Sequence, residues 1–163
     1  MKNAAIFFIA CQVIIRGIAL GMELTSPAFK NNEYIPKKFS CRGENINPAL
    51  LIKDIPPGTK SIALIFDDPD APGRTWVHWV MFDMPVVPEI KENSTPGKQG
   101  VNDSGRISYD GPCPPFGTHR YVFKAYALDA ELKLEEGITK AELEAAMKGH
   151  VLDKTELTGL FKK

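Results

Sequence analysis

Excess basic charge is missing from this chain. It holds 20 Lys and Arg against 20 Asp and Glu, and residues 22–163 hold 18 against 20 once Lys2 and Arg16 are set aside. Nucleic-acid binding draws most of its affinity from clustered cations facing phosphates, so no nucleic-acid partner is expected. Cysteine is scarce as well: three residues without a CxxC spacing leave no basis for a structural zinc site. The GxSxG elbow, HExxH, a phosphate loop ending in Gly-Lys-Ser/Thr and a dinucleotide glycine signature are all absent. Their absence removes the familiar hydrolase, metalloprotease and nucleotide sites, though not catalysis as such. No cofactor is expected. Neither an internal repeat nor a low-complexity tract is evident.

The long apolar run that does occur opens the chain, from Ala4 to Ile15 between Lys2 and Arg16, and is followed by Ala19-Leu20-Gly21. Its length and flanks fit a secretory signal over residues 1–21 better than a membrane span. Cleavage there would leave Met22 first, which equally fits translation that starts at Met22. Export follows from the first reading and a cytoplasmic location from the second. A lipoprotein box at Phe8–Cys11 is a third reading, disfavoured by its short apolar run. N-terminal sequencing of the mature protein separates the three. Cys41 and Cys113 follow suit: in an exported chain they pair and close a loop worth about 4 kcal/mol, and in a cytosolic one they stay free thiols.

Residues 22–163 have the length of one domain and enough apolar content for one core. Turn residues, including 13 Pro and 13 Gly, punctuate short apolar runs in the manner of a mainly β sandwich. Strands are predicted at Ser61–Phe66, Trp76–Asp83 and Tyr121–Leu128. In the second, alternation places Trp76, His78, Val80 and Phe82 on one face and Val77, Trp79 and Met81 on the other, with both faces buried. His78 then needs hydrogen-bond partners. One helix is predicted from the Thr139-Lys140-Ala141-Glu142 capping box, with Gly149 as its stop, and a final strand within Val151–Phe161. Asn93–Asp110 reads as a long irregular loop of the kind that carries function.

Chemistry gathers at strand ends. Asp67-Asp68-Pro69-Asp70-Ala71-Pro72 follows one strand, Trp76-Val77-His78-Trp79 opens the next, and Gly111-Pro112-Cys113-Pro114-Pro115-Phe116-Gly117-Thr118-His119-Arg120-Tyr121 leads into a third. Loops on a rigid sheet are where sites sit. In an extended stretch Asp68 and Asp70 point the same way, although an isolated Asp-Pro-Asp also serves as a turn whose aspartates cap backbone amides. A carboxylate beside a neutral histidine fixes which ring nitrogen carries the proton, leaving the other for a ligand. Such a set binds an anion, acts as a base or holds a metal. Arg120 alternates away from His119 and Tyr121 and is expected to pair with a carboxylate. His150 reads as a local cap.

Taken in order, Leu24-Thr25-Ser26-Pro27-Ala28-Phe29, Asn45-Ile46-Asn47-Pro48-Ala49-Leu50, Asp68-Pro69-Asp70-Ala71-Pro72, Gly111-Pro112-Cys113-Pro114-Pro115 and Gly117-Thr118-His119-Arg120-Tyr121 resemble the phosphatidylethanolamine-binding protein family, in its bacterial and archaeal branch related to Raf kinase inhibitor protein. The resemblance implies a β-sandwich with a large central antiparallel sheet, a smaller sheet and one or two short helices. It implies a phosphoryl-anion pocket lined by Asp68, Asp70, His78, Pro114, His119 and Tyr121, walled by Pro72, Trp76 and Pro115, with Ala71-Pro72 in the cis form. The mechanism expected of such a pocket has Asp70 orient His78. A small phosphorylated ligand or phospholipid headgroup, a kinase or protease as protein partner, and a homodimer are implied likewise. The chain ends in a strand where mammalian members have a helix beside the pocket, so contacts made by that helix do not carry over. The resulting expectation is a non-enzymatic binding protein that regulates a partner. A metal-dependent phosphoester or peptide hydrolase, and a protease inhibitor acting through Asn93–Asp110, are the alternatives.

Overall fold

The computed structural model describes residues 21–163. The readings of residues 1–20, leader, internal start and lipoprotein box alike, lie outside the described residues. Two antiparallel sheets face each other. The smaller has the order β1-β2-β5, with β1 at Glu23–Thr25, β2 at Leu50–Lys53 and β5 at Glu89–Ile90. The larger has the order β6-β4-β3-β7-β8, built from β3 (Ser61–Asp68), β4 (Trp76–Met84), β6 (Lys98–Gln99), β7 (Thr118–Leu128) and β8 (Val151–Lys162). A 3-10 turn at Lys37–Phe39 and one helix, α1 (Lys140–Met147), complete it. The mainly β sandwich with a large and a small sheet is therefore present as expected.

Every residue of β3 is buried, because the strand lies mid-sheet with apolar layers on both sides. On one side Leu64, Phe66, Trp79, Tyr121 and Phe123 pack towards Leu24, Leu50 and Ile52 of the small sheet. On the other, Ile65, Val80 and Phe82 pack against Leu143 and Met147 of α1. The helix starts where its sequence dictates. The Thr139 hydroxyl accepts from the Glu142 backbone N–H at 3.3 Å while the Glu142 carboxylate accepts from the Thr139 N–H at 2.7 Å, and Gly149 at φ +86° ends the turn that follows. His150 does not cap it by its side chain; its Nδ1 pairs with Asp129 at 2.8 Å on the surface.

One departure from alternation matters for the site. In the β3–β4 ladder Phe66 opposes Trp79 and Asp67 opposes Val77, which leaves His78 as the extra residue of a β-bulge. Strict alternation would set His78 and Trp79 on opposite faces. Instead the His78 ring lies against Phe66 and Tyr121, while Trp79 meets Tyr109, itself stacked on Phe66. The bulge turns His78 to the small-sheet side and leaves Val80 and Phe82 with the helix. The final strand is also longer than expected, pairing with β7 from Thr118↔Lys162 to Leu128↔Val151.

Candidate functional site

Antiparallel pairing brings the C-terminal end of β3 beside the N-terminal ends of β4 and β7, so Asp68, Trp76, His78, His119 and Tyr121 meet at one end of the large sheet. Asp68 is 3% exposed and His119 equally so. Asp68 Oδ2 receives His119 Nδ1 at 2.7 Å, and since a carboxylate only accepts, that nitrogen carries the proton. Asp68 Oδ1 meanwhile accepts the Asp70 backbone N–H at 2.8 Å. One carboxylate thus both caps the turn and orients the histidine.

The orientation of His78 has a different source from the one expected. Its Nδ1 donates to the backbone carbonyl of Asp110 at 2.8 Å, which fixes the tautomer without a carboxylate. Burial holds its pKa below the ordinary value, outweighing the Asp110 carbonyl and the surrounding aspartates. Asp70 does not touch His78. The chain turns at residues 69–70, so Asp70 faces outwards and accepts Nε and Nη2 of Arg120 at 2.9 and 2.7 Å. Arg120 is therefore the carboxylate partner anticipated for it, in an exposed pair. The Ala71-Pro72 bond is trans, as all described peptide bonds are; the corner is made by the Asp68 cap and by Gly73 at φ +84°.

Tyr121 sits between the two imidazoles, its ring edge-on to His78 at 5.3 Å and stacked with His119 at 6.4 Å. Its hydroxyl is buried close to the Asp68 carboxylate and the Cys113 backbone without a hydrogen bond of ordinary geometry, and burial, then the neighbouring Asp68 carboxylate, pushes its ionisation far above the phenol range. It is a neutral donor. Among the described residues the second ring nitrogens of His78 and His119 have no hydrogen-bond partner either.

A cavity of about 470 Å³ opens in front of these groups. Asp68, Pro72, Trp76, His78 and Pro115, among the expected residues, line it. His119, Tyr121, Pro114 and Asp70 do not line it; the first three are buried and Asp70 is exposed. The cavity's remaining lining was not among the expected site residues: Cys41, Ala71, Ser104, Arg106, Asp110, Gly111 and Cys113. Cys41 and Cys113 form a disulfide across 72 residues, and a side chain on Gly111 would strike the Phe39 carbonyl. Arg106 had one available signal, being the sole Lys or Arg between Lys98 and Arg120, inside the loop already suspected of function. A larger, more open groove of about 640 Å³ lies between β1 and β8, away from these titratable groups. Asp68, Asp70, His78 and His119 are not gathered into a metal-ligand cluster among the described residues.

These features define an antiparallel β-sandwich with a carboxylate–histidine cavity at the end of its large sheet. Residues 25–162 match the family described as phosphatidylethanolamine-binding protein. A UPF0098 protein of Methanothermobacter thermautotrophicus is 45% identical over 87% of this chain and 99% of its own length, and protein PH1269 of Pyrococcus horikoshii, also UPF0098, is 47% identical over 85% and 75%. The crystal structure of CT736 from Chlamydia trachomatis, a homolog of these binding proteins, superposes with a TM-score of 0.85 at 44% identity, covering 88% of this chain and 98% of that one. YbcL of E. coli, described as a member of the mammalian family, gives 0.81 at 29% identity over 88% and 99%. The chain belongs to the phosphatidylethanolamine-binding protein family.

Proposed function

We propose that this protein is a non-enzymatic binding protein whose cavity takes the phosphoryl group of a small ligand. The observation that carries the reading is the free ring nitrogen of His78, which lines the cavity with its Nδ1 already held by the Asp110 carbonyl. Buried polar groups are nearly always satisfied, so a buried imidazole that faces a polar cavity with one nitrogen unpartnered argues for a ligand there. Asp68 and the Asp110 carbonyl hold the two Nδ1 protons, so each Nε2 becomes a donor once its ring is charged. The cavity is several times larger than a phosphate ion, which leaves room for an attached headgroup between Trp76 and Pro72. No nucleophile with an adjacent base is needed for this role.

Titration calorimetry with inorganic phosphate and with phosphorylethanolamine, on wild type and His119→Ala, with and without divalent metal, tests it. We expect binding without metal, lost in the variant. Binding that requires metal, with release of phosphate from an ester, would replace this reading with the hydrolase. Binding of neither ligand would overturn it.

A further inference from the structure

Three arginines stand around this end of the sheet, and they are committed differently. Arg74 gives one nitrogen to both Asp103 oxygens at 3.0 Å and lies over the Trp76 ring. Arg120 makes a two-nitrogen fork on Asp70. Arg106 makes a single contact, Nη2 to Asp110 Oδ1 at 2.6 Å, and among the described residues its Nε and Nη1 have no partner. Of the three it alone lines the cavity, and its side chain is 56% exposed, so its spare donors are reachable.

The backbone holds Arg106 in this place firmly. Asn102, 4% exposed, accepts the N–H groups of Ser104 and Arg106 on its Oδ1 at 3.0 and 2.9 Å and donates to the Ser108 carbonyl at 3.0 Å. Asp110 then returns to β4 by its N–H to the His78 carbonyl at 3.1 Å. The loop that carries the guanidinium is therefore tied to the strand that carries His78. The cavity lining otherwise offers an anion two carboxylates, Asp68 and Asp110, and no other permanent cation. With Arg106 Nη2 giving one of its two N–H groups to Asp110, its other N–H together with the free Nε or Nη1 forms a two-donor edge that matches two oxygens of a phosphoryl group.

We propose that Arg106 is a ligand-contacting residue that anchors the phosphoryl group at the cavity mouth and makes the site prefer dianionic phosphate monoesters over their monoanionic diesters. The inference rests on the binding reading above. Asp110 presents Arg106 to the ligand, and the ligand shares or takes over that pairing.

The test is calorimetry at pH 8, where phosphate monoesters are dianions, with inorganic phosphate, phenyl phosphate and its monoanionic methyl ester. Wild type, Arg106→Lys, Arg106→Gln and Asp110→Asn are compared, with urea unfolding run alongside. Arg106→Gln should weaken phenyl phosphate by roughly 10- to 100-fold, the range of lost charged hydrogen bonds, and erase the preference over the methyl ester. Arg106→Lys should keep the preference with reduced affinity. Asp110→Asn, which frees the guanidinium, should bind as tightly as wild type or more so. Binding of phenyl phosphate but not of inorganic phosphate would place the attached group in the specificity as well. Equal affinity and preference in wild type and Arg106→Gln overturn the proposal, as does Asp110→Asn weakening binding as much as Arg106→Gln, since the residue would then act only through its ion pair. If Arg106→Gln does not fold, the lysine and asparagine variants decide. Wild type that binds none of the three compounds defeats the binding reading itself, a separate outcome.

Discussion

Replacing Asp70 by asparagine separates its observed geometry from the role its neighbours in sequence suggested. Its carboxylate takes two guanidinium nitrogens of Arg120, and Oδ2 also takes the Arg120 backbone N–H at 2.9 Å. The guanidinium holds this carboxyl at about 2 instead of its ordinary 3.8, a difference that corresponds to roughly 2.5 kcal/mol before screening. The pair is open to solvent, with the side chains of Arg120 and Asp70 58% and 31% exposed, and exposed pairs contribute at most about 1 kcal/mol. We therefore expect Asp70→Asn to cost about 1 kcal/mol at pH 7. The folded value lies below the unfolded one, so this stability is present in full above pH 3.8 and fades as pH falls through about 2. Urea unfolding of wild type and variant should show the gap shrinking to about a third between pH 7 and pH 2.5. Phosphate affinity should be unchanged, because the carboxylate faces away from the cavity. A gap that persists at pH 2.5, or is missing at pH 7, refutes the ion-pair reasoning, and a clear loss of affinity returns Asp70 to the site.

Breaking the cavity-wall disulfide by Cys113→Ser should lower stability by about 4 kcal/mol in the chain-entropy view, read from urea midpoints and matched by wild type under reductant; a negligible change would mean the thiols are unpaired in solution. Thr139→Ala removes the hydroxyl half of the capping box on α1 and should cost about 1 kcal/mol, with the loss absent if the helix start is held by packing alone. Burial keeps His78 below its ordinary 6.5, so the unfolded chain takes up this proton first as pH falls. The stability it gives is present above pH 6.5 and declines below it. Unfolding midpoints should therefore drop between pH 7.5 and 5 in wild type and less in His78→Gln, and equal slopes would place the effect elsewhere.

Local patterns carried the large sheet and the helix. Five apolar residues of β3, Ile62–Phe66, form a continuous run ended by aspartates, and α1 announces itself by Thr139 and Glu142 three positions apart. The sequence clusters around Asp68, His78 and His119 meet because they sit at β3, β4 and β7 ends that antiparallel pairing must bring together. What stayed hidden depends on departures from regularity. The bulge at His78 reverses its face and cannot be read from alternation, and the turn at residues 69–70 swings Asp70 out although its spacing from Asp68 fits a shared face. β5 and β6, two residues each, exist only through their partners. Arg106 and Asp110 reach the cavity through the Asn102 hydrogen bonds, a tertiary arrangement that loop composition does not encode.

The balance of charge at this end of the sheet explains how a cavity walled by aspartates could receive an anion. Five carboxylates crowd here, and each is assigned. Alternation sends Asp67 to the helix side, where Lys124 and Lys140 both reach its Oδ2 at 2.9 and 2.6 Å. Asp68 is spent on His119, Asp70 on Arg120 and Asp103 on Arg74. Asp110 is the remaining one, and the Ser104 hydroxyl and Arg106 guanidinium keep it ionised against its burial, leaving its pKa below the ordinary range. With Asp67, Asp70, Asp103 and Asp110 each beside a Lys or Arg and Asp68 hydrogen-bonded to His119, the aspartates repel an incoming phosphate far less than their number suggests. Affinity then turns on which donors remain unspent, and those are two imidazole nitrogens and half of one guanidinium. Because fixed donors need no reorganisation when a ligand arrives, the removal of one such donor should weaken binding more than the removal of any paired charge around it.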